Sequence, residues 1–145
     1  MATFDYSHAS DAKFNIIDGQ SHCALLRSFP VNGTEAIKCG EWVVFNNDGT
    51  VSKQVGVYDG VKKAYPVIGG NTDRFDSRTM GSVTLCLGTF HADTSMAEAV
   101  TINAGDRLTL KDGVLTKAGA TPAPLTIVGE CVKPNVNGKL EFVRQ

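Results

Sequence analysis

The chain has 145 residues, of which 42% are hydrophobic, and a formal net charge of −1 at pH 7. This length suits a single domain that buries about two-thirds of its unfolded surface. The near-zero charge argues against nucleic acid or an anionic membrane as the partner, and no apolar run approaches the roughly 18–20 residues that span a bilayer.

Residues 1–36 are polar and rich in turn-forming residues, with short apolar stretches at residues 14–17 and 23–26. Such segments lie on a surface or pair with the edge of a sheet. We predict that residues 1–36 form an N-terminal arm or an added edge strand. The first residues also lack the basic-then-apolar order of a secretory signal, so we expect synthesis in the cytoplasm without export.

A pattern that begins at Ile37 (IKCGEWVVFNNDGTVSKQ) returns at Ile102 (INAGDRLTLKDGVLTKAG). Both copies run from an apolar residue through a glycine and an acid into a strand. Asp-Gly follows, and then a hydroxyl residue and a lysine. The chain is therefore predicted to contain two related β units, at about 37–87 and 102–144.

The two Asp-Gly turns predict how each unit's first hairpin is paired. A two-residue Asp-Gly loop in the second copy favours a type I′ turn, which sets Leu110 opposite Leu115. The first copy has one extra residue, so a three-residue loop with a left-handed Gly49 sets Phe45 opposite Val51.

The repeat also extends beyond the hairpins. Residues 66–69 (PVIG) match residues 125–129 (LTIVG), and residues 81–85 (GSVTL) match residues 138–142 (GKLEF). The other ordered segments are short, rich in β-branched residues and bounded by Gly, Asn, Asp or Pro, which is typical of strands.

Only residues 94–100 have a helical pattern, with Ser95 and Glu98 at capping-box spacing, which predicts a turn or two. We predict an all-β protein: a single compact β-sandwich or barrel-like domain. It is built from two related β units within residues 37–145 and carries an N-terminal arm, and Trp42 lies in its core.

Residues 69–81 form a polar interlude between two strands of the first unit. Long exposed loops on β scaffolds often carry binding contacts. We therefore take the candidate partner contacts from the arm and from this loop: Phe4, Tyr6, Phe14, Ile16, Asn71, Asp73, Arg74, Phe75 and Arg78.

The sequence offers little that could be catalytic. Its three histidines and four cysteines are dispersed, and it has no phosphate loop or nucleophile elbow. His91 and Asp93 alternate on a strand, which could bring an imidazole near a carboxylate. The cysteines lack the close spacing of a zinc site and are expected to be free thiols, with Cys86 in the core. We predict no enzymatic activity, no cofactor and no metal.

Three segments, residues 104–118 (AGDRLTLKDGVLTKA), 125–132 (LTIVGECV) and 138–144 (GKLEFVR), carry a family resemblance. Their order of glycine-acid turn, strand, Asp-Gly hairpin, apolar return and last strand resembles the decoration (cement) proteins of tailed bacteriophages. Those proteins have a segment near Ile-Gly-x-Ala after the hairpin, whereas this chain has Val-Gly-Glu-Cys at residues 128–131.

The resemblance implies a structural virion protein without catalytic residues. Such a protein is made in the host cytoplasm, binds the major capsid protein on the outside of an icosahedral head, and stabilises the expanded shell. Trimers are the common form in that group, so a homo-oligomer is expected, and a trimer is favoured over a dimer.

Two other functions remain open from the sequence. One is a receptor- or carbohydrate-binding β module of a phage tail or surface structure, which Trp42, Tyr58 and Tyr65 on one exposed face would favour. The other is a small all-β hydrolase, such as the trimeric nucleotide hydrolases, although no phosphate site of that kind can be assembled from these residues.

Overall fold

The computed structural model describes residues 14–18, 25–71, 81–136 and 138–144. These residues form eleven β-strands and one short 3₁₀ turn, Pro124–Thr126. The strands are β1 Phe14–Asp18, β2 Leu26–Pro30, β3 Trp42–Phe45, β4 Val51–Lys53, β5 Tyr65–Gly69, β6 Ser82–Cys86, β7 Phe90–Thr94, β8 Arg107–Lys111, β9 Val114–Lys117, β10 Gly129–Val136 and β11 Lys139–Arg144.

The strands form two antiparallel sheets that pack as a sandwich, which confirms the all-β prediction. One sheet has the order β2-β6-β5-β3-β4, and the other has the order β1-β7-β11-β10-β8-β9. If β1 is set aside, the second order repeats the first strand for strand. The repeat in the sequence is thus a repeat of topology, and it also includes β2 and β7, which come before the two copies.

Each sheet curls on itself in the same way. Just after β2, Val31 forms a parallel bridge with Val51 on β4; just after β7, Ala97 bridges Leu115 on β9 in parallel. The chain that follows β2 thereby meets β4, at the other end of its sheet, and the chain that follows β7 meets β9 in the same way. Each unit is barrel-like as well as one layer of the sandwich.

The glycine-acid turn has one geometry in both units. Gly40 and Gly105 have φ angles of 92° and 90°, in the left-handed region that favours glycine. The acid that follows each glycine accepts a hydrogen bond from the backbone N–H three residues before it: Glu41 from Lys38 at 2.7 Å, and Asp106 from Asn103 at 2.8 Å.

The repeated lysine has a partner in the same turn. Lys53 Nζ lies 3.2 Å from Glu41 Oε2, and Lys117 Nζ lies 3.4 Å from Asp106 Oδ2. The acid and lysine positions of the sequence pattern are therefore two halves of one ion pair, formed once in each unit. Because these pairs are partly solvated, each contributes only modestly to stability.

Both hairpin predictions are confirmed. Leu110 pairs with Leu115, and Phe45 pairs with Val51. Asp112 and Gly113 both have positive φ, 50° and 80°, as a type I′ turn requires.

Two sequence predictions are wrong. Residues 94–100 form no helix, because the Glu98 N–H donates to the Leu115 carbonyl at 2.7 Å and the segment joins the sheet instead.

The match of residues 66–69 to residues 125–129 is displaced by four positions. Val67 N–H donates to the Glu41 carbonyl and Cys131 N–H to the Asp106 carbonyl, both at 2.8 Å, so Val67 corresponds to Cys131. The match of residues 81–85 to 138–142 agrees with this register, since Leu85 pairs with Val67 and Phe142 pairs with Cys131.

The apolar interior has two parts. The smaller cluster, which includes Ile37, Val43, Val67 and Leu85, lies within the first unit. The larger cluster fills the second unit and also takes in Trp42, Tyr58, Ala64 and Cys86 from the first, so it joins the two units. Trp42 is fully buried, as predicted.

Candidate partner-binding surface

The nine candidate contacts fall into two groups. Phe4, Tyr6, Asp73, Arg74, Phe75 and Arg78 lie outside the described residues. The other three, Phe14, Ile16 and Asn71, lie within the sandwich or at its border.

Phe14 packs inside the chain rather than on its surface. It is 3% exposed, and its ring meets those of Phe90 and Phe142 edge to face at 5.6 and 5.8 Å. Ile16 packs against the same cluster and is partly buried. β1 therefore contributes to the core of the second unit, and the Phe14 side chain has almost no exposed face for a partner.

Asn71 is bound to its own chain. Its Oδ1 accepts from Ile37 N–H and its Nδ2 donates to the Glu35 carbonyl, both at 2.8 Å. The side chain thus fastens the end of β5 to the segment that leads into the repeated turn. Its donors and acceptors serve the fold.

An exposed group of apolar side chains lies elsewhere, on the loop between β4 and β5. Val55, Val57 and Val61 are 77%, 80% and 81% exposed and line one shallow groove of about 300 Å³. Leu125, 76% exposed, lies beside them against Gly60. We call these four residues the junction patch. The sequence did not predict this patch, because valines in a β protein usually lie in the core.

The backbone beneath the junction patch is held by the second unit. Gly56 N–H donates to Asp112 Oδ1 at 2.7 Å, and Asp112 N–H donates to the Gly56 carbonyl at 2.9 Å. Tyr58 N–H donates to the Leu110 carbonyl, and Val57 forms an antiparallel bridge with Lys111. The loop is therefore an extra strand-like segment laid on the β8–β9 hairpin.

Two further features fix the junction patch. The buried Gln54 side chain donates to the Val55 and Gly56 carbonyls and accepts from Gly113 N–H, at 2.8 to 3.0 Å. A Cβ on Gly60 would lie 2.5 Å from the Leu125 carbonyl oxygen, so only glycine allows this contact, and its φ is 75°. A rigid, exposed apolar surface of this kind is typical of a binding site.

Among the described titratable side chains, His91 pairs with a carboxylate on the neighbouring strand. His91 Nε2 lies 3.3 Å from Glu141 Oε2, on the neighbouring strand, and both side chains are about one-third exposed. Across residues 14–18, 25–71, 81–136 and 138–144, no three His, Cys, Asp or Glu side chains come together closely enough to hold a metal ion.

Three cysteine side chains are buried: Cys39, Cys86 and Cys131. Burial raises the pKa of the Cys86 and Cys131 thiols, which disfavours the reactive thiolate. Cys86 lies in the core as predicted, and Cys23 lies outside the described residues.

The three aromatic residues that a sugar-binding face would need do not share an exposed surface. Trp42 is 0% exposed and Tyr58 is 6% exposed, while Tyr65 is partly buried. Tyr58 Oη donates to the Lys62 carbonyl and accepts from Ala64 N–H. These rings contribute to the fold, so their placement does not favour carbohydrate binding.

Comparison with protein-family models and with curated proteins finds no match for this chain. No helix in the described part of the chain is long and apolar enough to cross a membrane.

Proposed function

We propose that this protein is a structural component of a virion that binds the outer surface of an icosahedral phage head and stabilises the expanded capsid. The observation that carries the proposal is the resemblance of residues 104–144 to phage decoration proteins. The segments that carry it form the glycine-acid turn, the strand, the Asp-Gly hairpin and the last strand.

Duplication of this unit suits such a task. Two units that share a core form one packed body, and a preorganised body loses less entropy on binding. A body that binds the expanded lattice and not the unexpanded one stabilises the expanded state by mass action, without any chemical step.

The junction patch is the face that we assign to the major capsid protein. Its apolar centre is bordered by the exposed Asp59 and Lys62, the arrangement of apolar core and polar rim that protein interfaces use. Because the second unit holds its backbone, the patch needs little ordering when it binds.

The remaining parts of the proposal rest on the same resemblance and on the composition of the chain. The protein has no enzymatic activity and no cofactor, it binds neither nucleic acid nor membrane, and it acts as a homo-oligomer, with a trimer favoured. It is synthesised in the host cytoplasm and resides on the capsid exterior.

Co-sedimentation with phage heads tests the proposal. Purified protein is mixed with expanded heads and, separately, with unexpanded heads of the phage that encodes it, each stripped of this protein. We expect saturable binding to expanded heads at a fixed number of copies and little binding to unexpanded ones. Equal, non-saturating association with both kinds of head would contradict it.

A further inference from the structure

The two units differ at one edge. β2 and β7 hold equivalent places, because β2 lies next to β6 in one sheet and β7 lies next to β11 in the other. β7 has a second neighbour, since β1 pairs with its other side from Phe14↔Thr94 to Asp18↔His91. Among the described residues, nothing pairs with the corresponding side of β2.

The uncovered edge shows in the burial of equivalent residues. Leu85 and Phe142 are equivalent positions of the two units. Arg27 pairs with Leu85 and Ala92 pairs with Phe142, so Arg27 corresponds to Ala92. Two residues earlier on each strand, Leu25 corresponds to Phe90. Ala92 and Phe90 are 0% and 5% exposed, whereas Leu25 is 50% exposed and Arg27 is exposed. Phe14 of β1 covers Phe90 in the second unit, and no ring among the described residues covers Leu25 in this way.

The hydrogen-bonding direction of β2 follows from its register. Leu87 N–H donates to the Leu25 carbonyl and Val31 N–H donates to the Gly81 carbonyl, so the odd-numbered residues of this strand face β6. In an antiparallel pair the alternate residues point the other way. Leu26 and Ser28 therefore direct both N–H and C=O toward solvent, and Pro30 directs only its C=O.

We propose that this edge of β2 receives a strand from the N-terminal residues of a second copy of the chain. Residues 3–7 (TFDYS) alternate polar and apolar side chains, so an added strand would present Phe4 and Tyr6 on one face. Phe14 and Ile16 have the same i, i+2 spacing where β1 lies on β7. The added strand would pair with the edge of β2 as β1 pairs with the edge of β7.

A second copy of the chain can supply the added strand, because each chain carries both the donor segment and the edge that accepts it. In this arrangement every chain donates one segment and accepts one, and such head-to-tail contacts close into a ring when the rotation between copies allows it. A ring of three agrees with the trimer of the proposed function. The inference rests on the proposed function in one respect, which is that an oligomer is expected.

Residue-resolved amide hydrogen exchange of the full-length protein tests the inference. The N–H groups of Arg27 and Phe29 bond within the chain and should be protected at every concentration. Those of Leu26 and Ser28 should be protected about 100-fold when the oligomer forms, and should exchange freely on dilution to monomer. A Phe4→Asp, Tyr6→Asp chain should lose protection at Leu26 and Ser28 alone.

A matched pair of edge variants gives a second readout. Ser28 Oγ lies 3.0 Å from Thr84 Oγ1, so Ser28→Ala removes that hydrogen bond and keeps the outward N–H. Ser28→Pro removes both. We expect Ser28→Pro to be monomeric by light scattering and Ser28→Ala to remain an oligomer.

Three results would overturn the inference: a monomeric wild-type protein, an oligomer in which Leu26 and Ser28 exchange freely, or protection that is independent of concentration, which would mean that the chain's own residues cover the edge. A monomer that still binds expanded heads would overturn this inference and the expected oligomer, and would leave the proposed capsid binding standing.

Discussion

The guanidinium of Arg144 lies 5.2 Å from the ring centre of Trp42 and so joins the last strand of the second unit to the first strand of the first hairpin. The same guanidinium lies 5.3 Å from the ring centre of Tyr65. Arg144 is 5% exposed. Among the described residues, its Nη1 has no hydrogen-bond partner and no carboxylate forms an ion pair with it. Burial accordingly lowers the pKa of the guanidinium.

Replacement of Arg144 should therefore separate its charge from its packing. Arg144→Met keeps a long chain between the two rings and removes a buried charge that lies over their faces. We expect the free energy of unfolding to be unchanged or to rise by about 1 kcal/mol. Trp42→Ala, which empties the same place, should cost about 3–5 kcal/mol. Urea unfolding measures both, and a large loss in Arg144→Met would show that the charge itself is needed.

The Asp106 carboxylate should make stability depend on acid pH. The hydrogen bond from Asn103 N–H, and then the charge of Lys117, lower the pKa of Asp106 below its ordinary value of 3.8. The folded state therefore favours the charged form. This contribution is present above pH 3.8 and is lost as the pH falls through the lower folded pKa.

Asp106→Asn lacks this contribution, so the difference in unfolding free energy between wild type and variant should shrink as the pH falls below about 4. Lys117→Met keeps the Asn103 bond and serves as the control, with a smaller change expected. A difference that stays constant from pH 6 to pH 2 would contradict this account.

The parts of the fold that depend on local chemistry could be predicted from the sequence. Asp-Gly turns accept few geometries, so the pairings of Leu110 with Leu115 and Phe45 with Val51 followed from the turn alone. The repeated acid and lysine were visible as a pattern, but only the fold shows that Asp106 and Lys117 meet.

The parts that depend on distant contacts could not be predicted. Ser95 and Glu98 have helix-capping spacing, yet the Leu115 carbonyl takes the Glu98 N–H, and a tertiary bond overrides a local preference. The junction patch is hidden in the sequence for a similar reason, because nothing local says that Val57 faces outward while Tyr58 faces the core.

Truncation should distinguish residues that complete the core from those that precede it. A chain that begins at Phe14 keeps the ring that packs on Phe90 and Phe142. At a dilution where the full-length protein is monomeric, the far-ultraviolet dichroism and unfolding free energy of the two chains should match. A chain that begins at residue 19 loses β1, and we expect it to be less stable by about 3 kcal/mol or more. Equal stability of the two truncated chains would mean that β1 adds nothing to the core.

The thiols should be slow to react until the chain unfolds. Cys39, Cys86 and Cys131 are buried, and burial raises the pKa of the latter two. A thiol reagent should modify these three in the folded protein at least about 100-fold more slowly than after denaturation. Denaturation without reductant should expose all four thiols, and a count of two or none would indicate disulfides.

The junction patch should matter for binding and not for folding. Replacement of Val55, Val57 and Val61 by serine removes apolar side chains that are already about 80% exposed, so the unfolding free energy should change by less than about 1 kcal/mol. Affinity for expanded heads should fall at least about 10-fold. Val100→Ser and Val132→Ser, at exposed valines outside the patch, are the controls and should bind normally. Normal binding by the triple variant would place the capsid contact elsewhere.

The protein composition of purified virions tests the central claim most directly. Quantitative mass spectrometry of particles from the phage that encodes this chain, after removal of unbound protein, measures the number of copies per capsid. A decoration protein should be present in a fixed ratio to the major capsid protein and in many copies per head. Its absence from intact virions, or its presence in only a few copies as a tail component would be, would contradict the account.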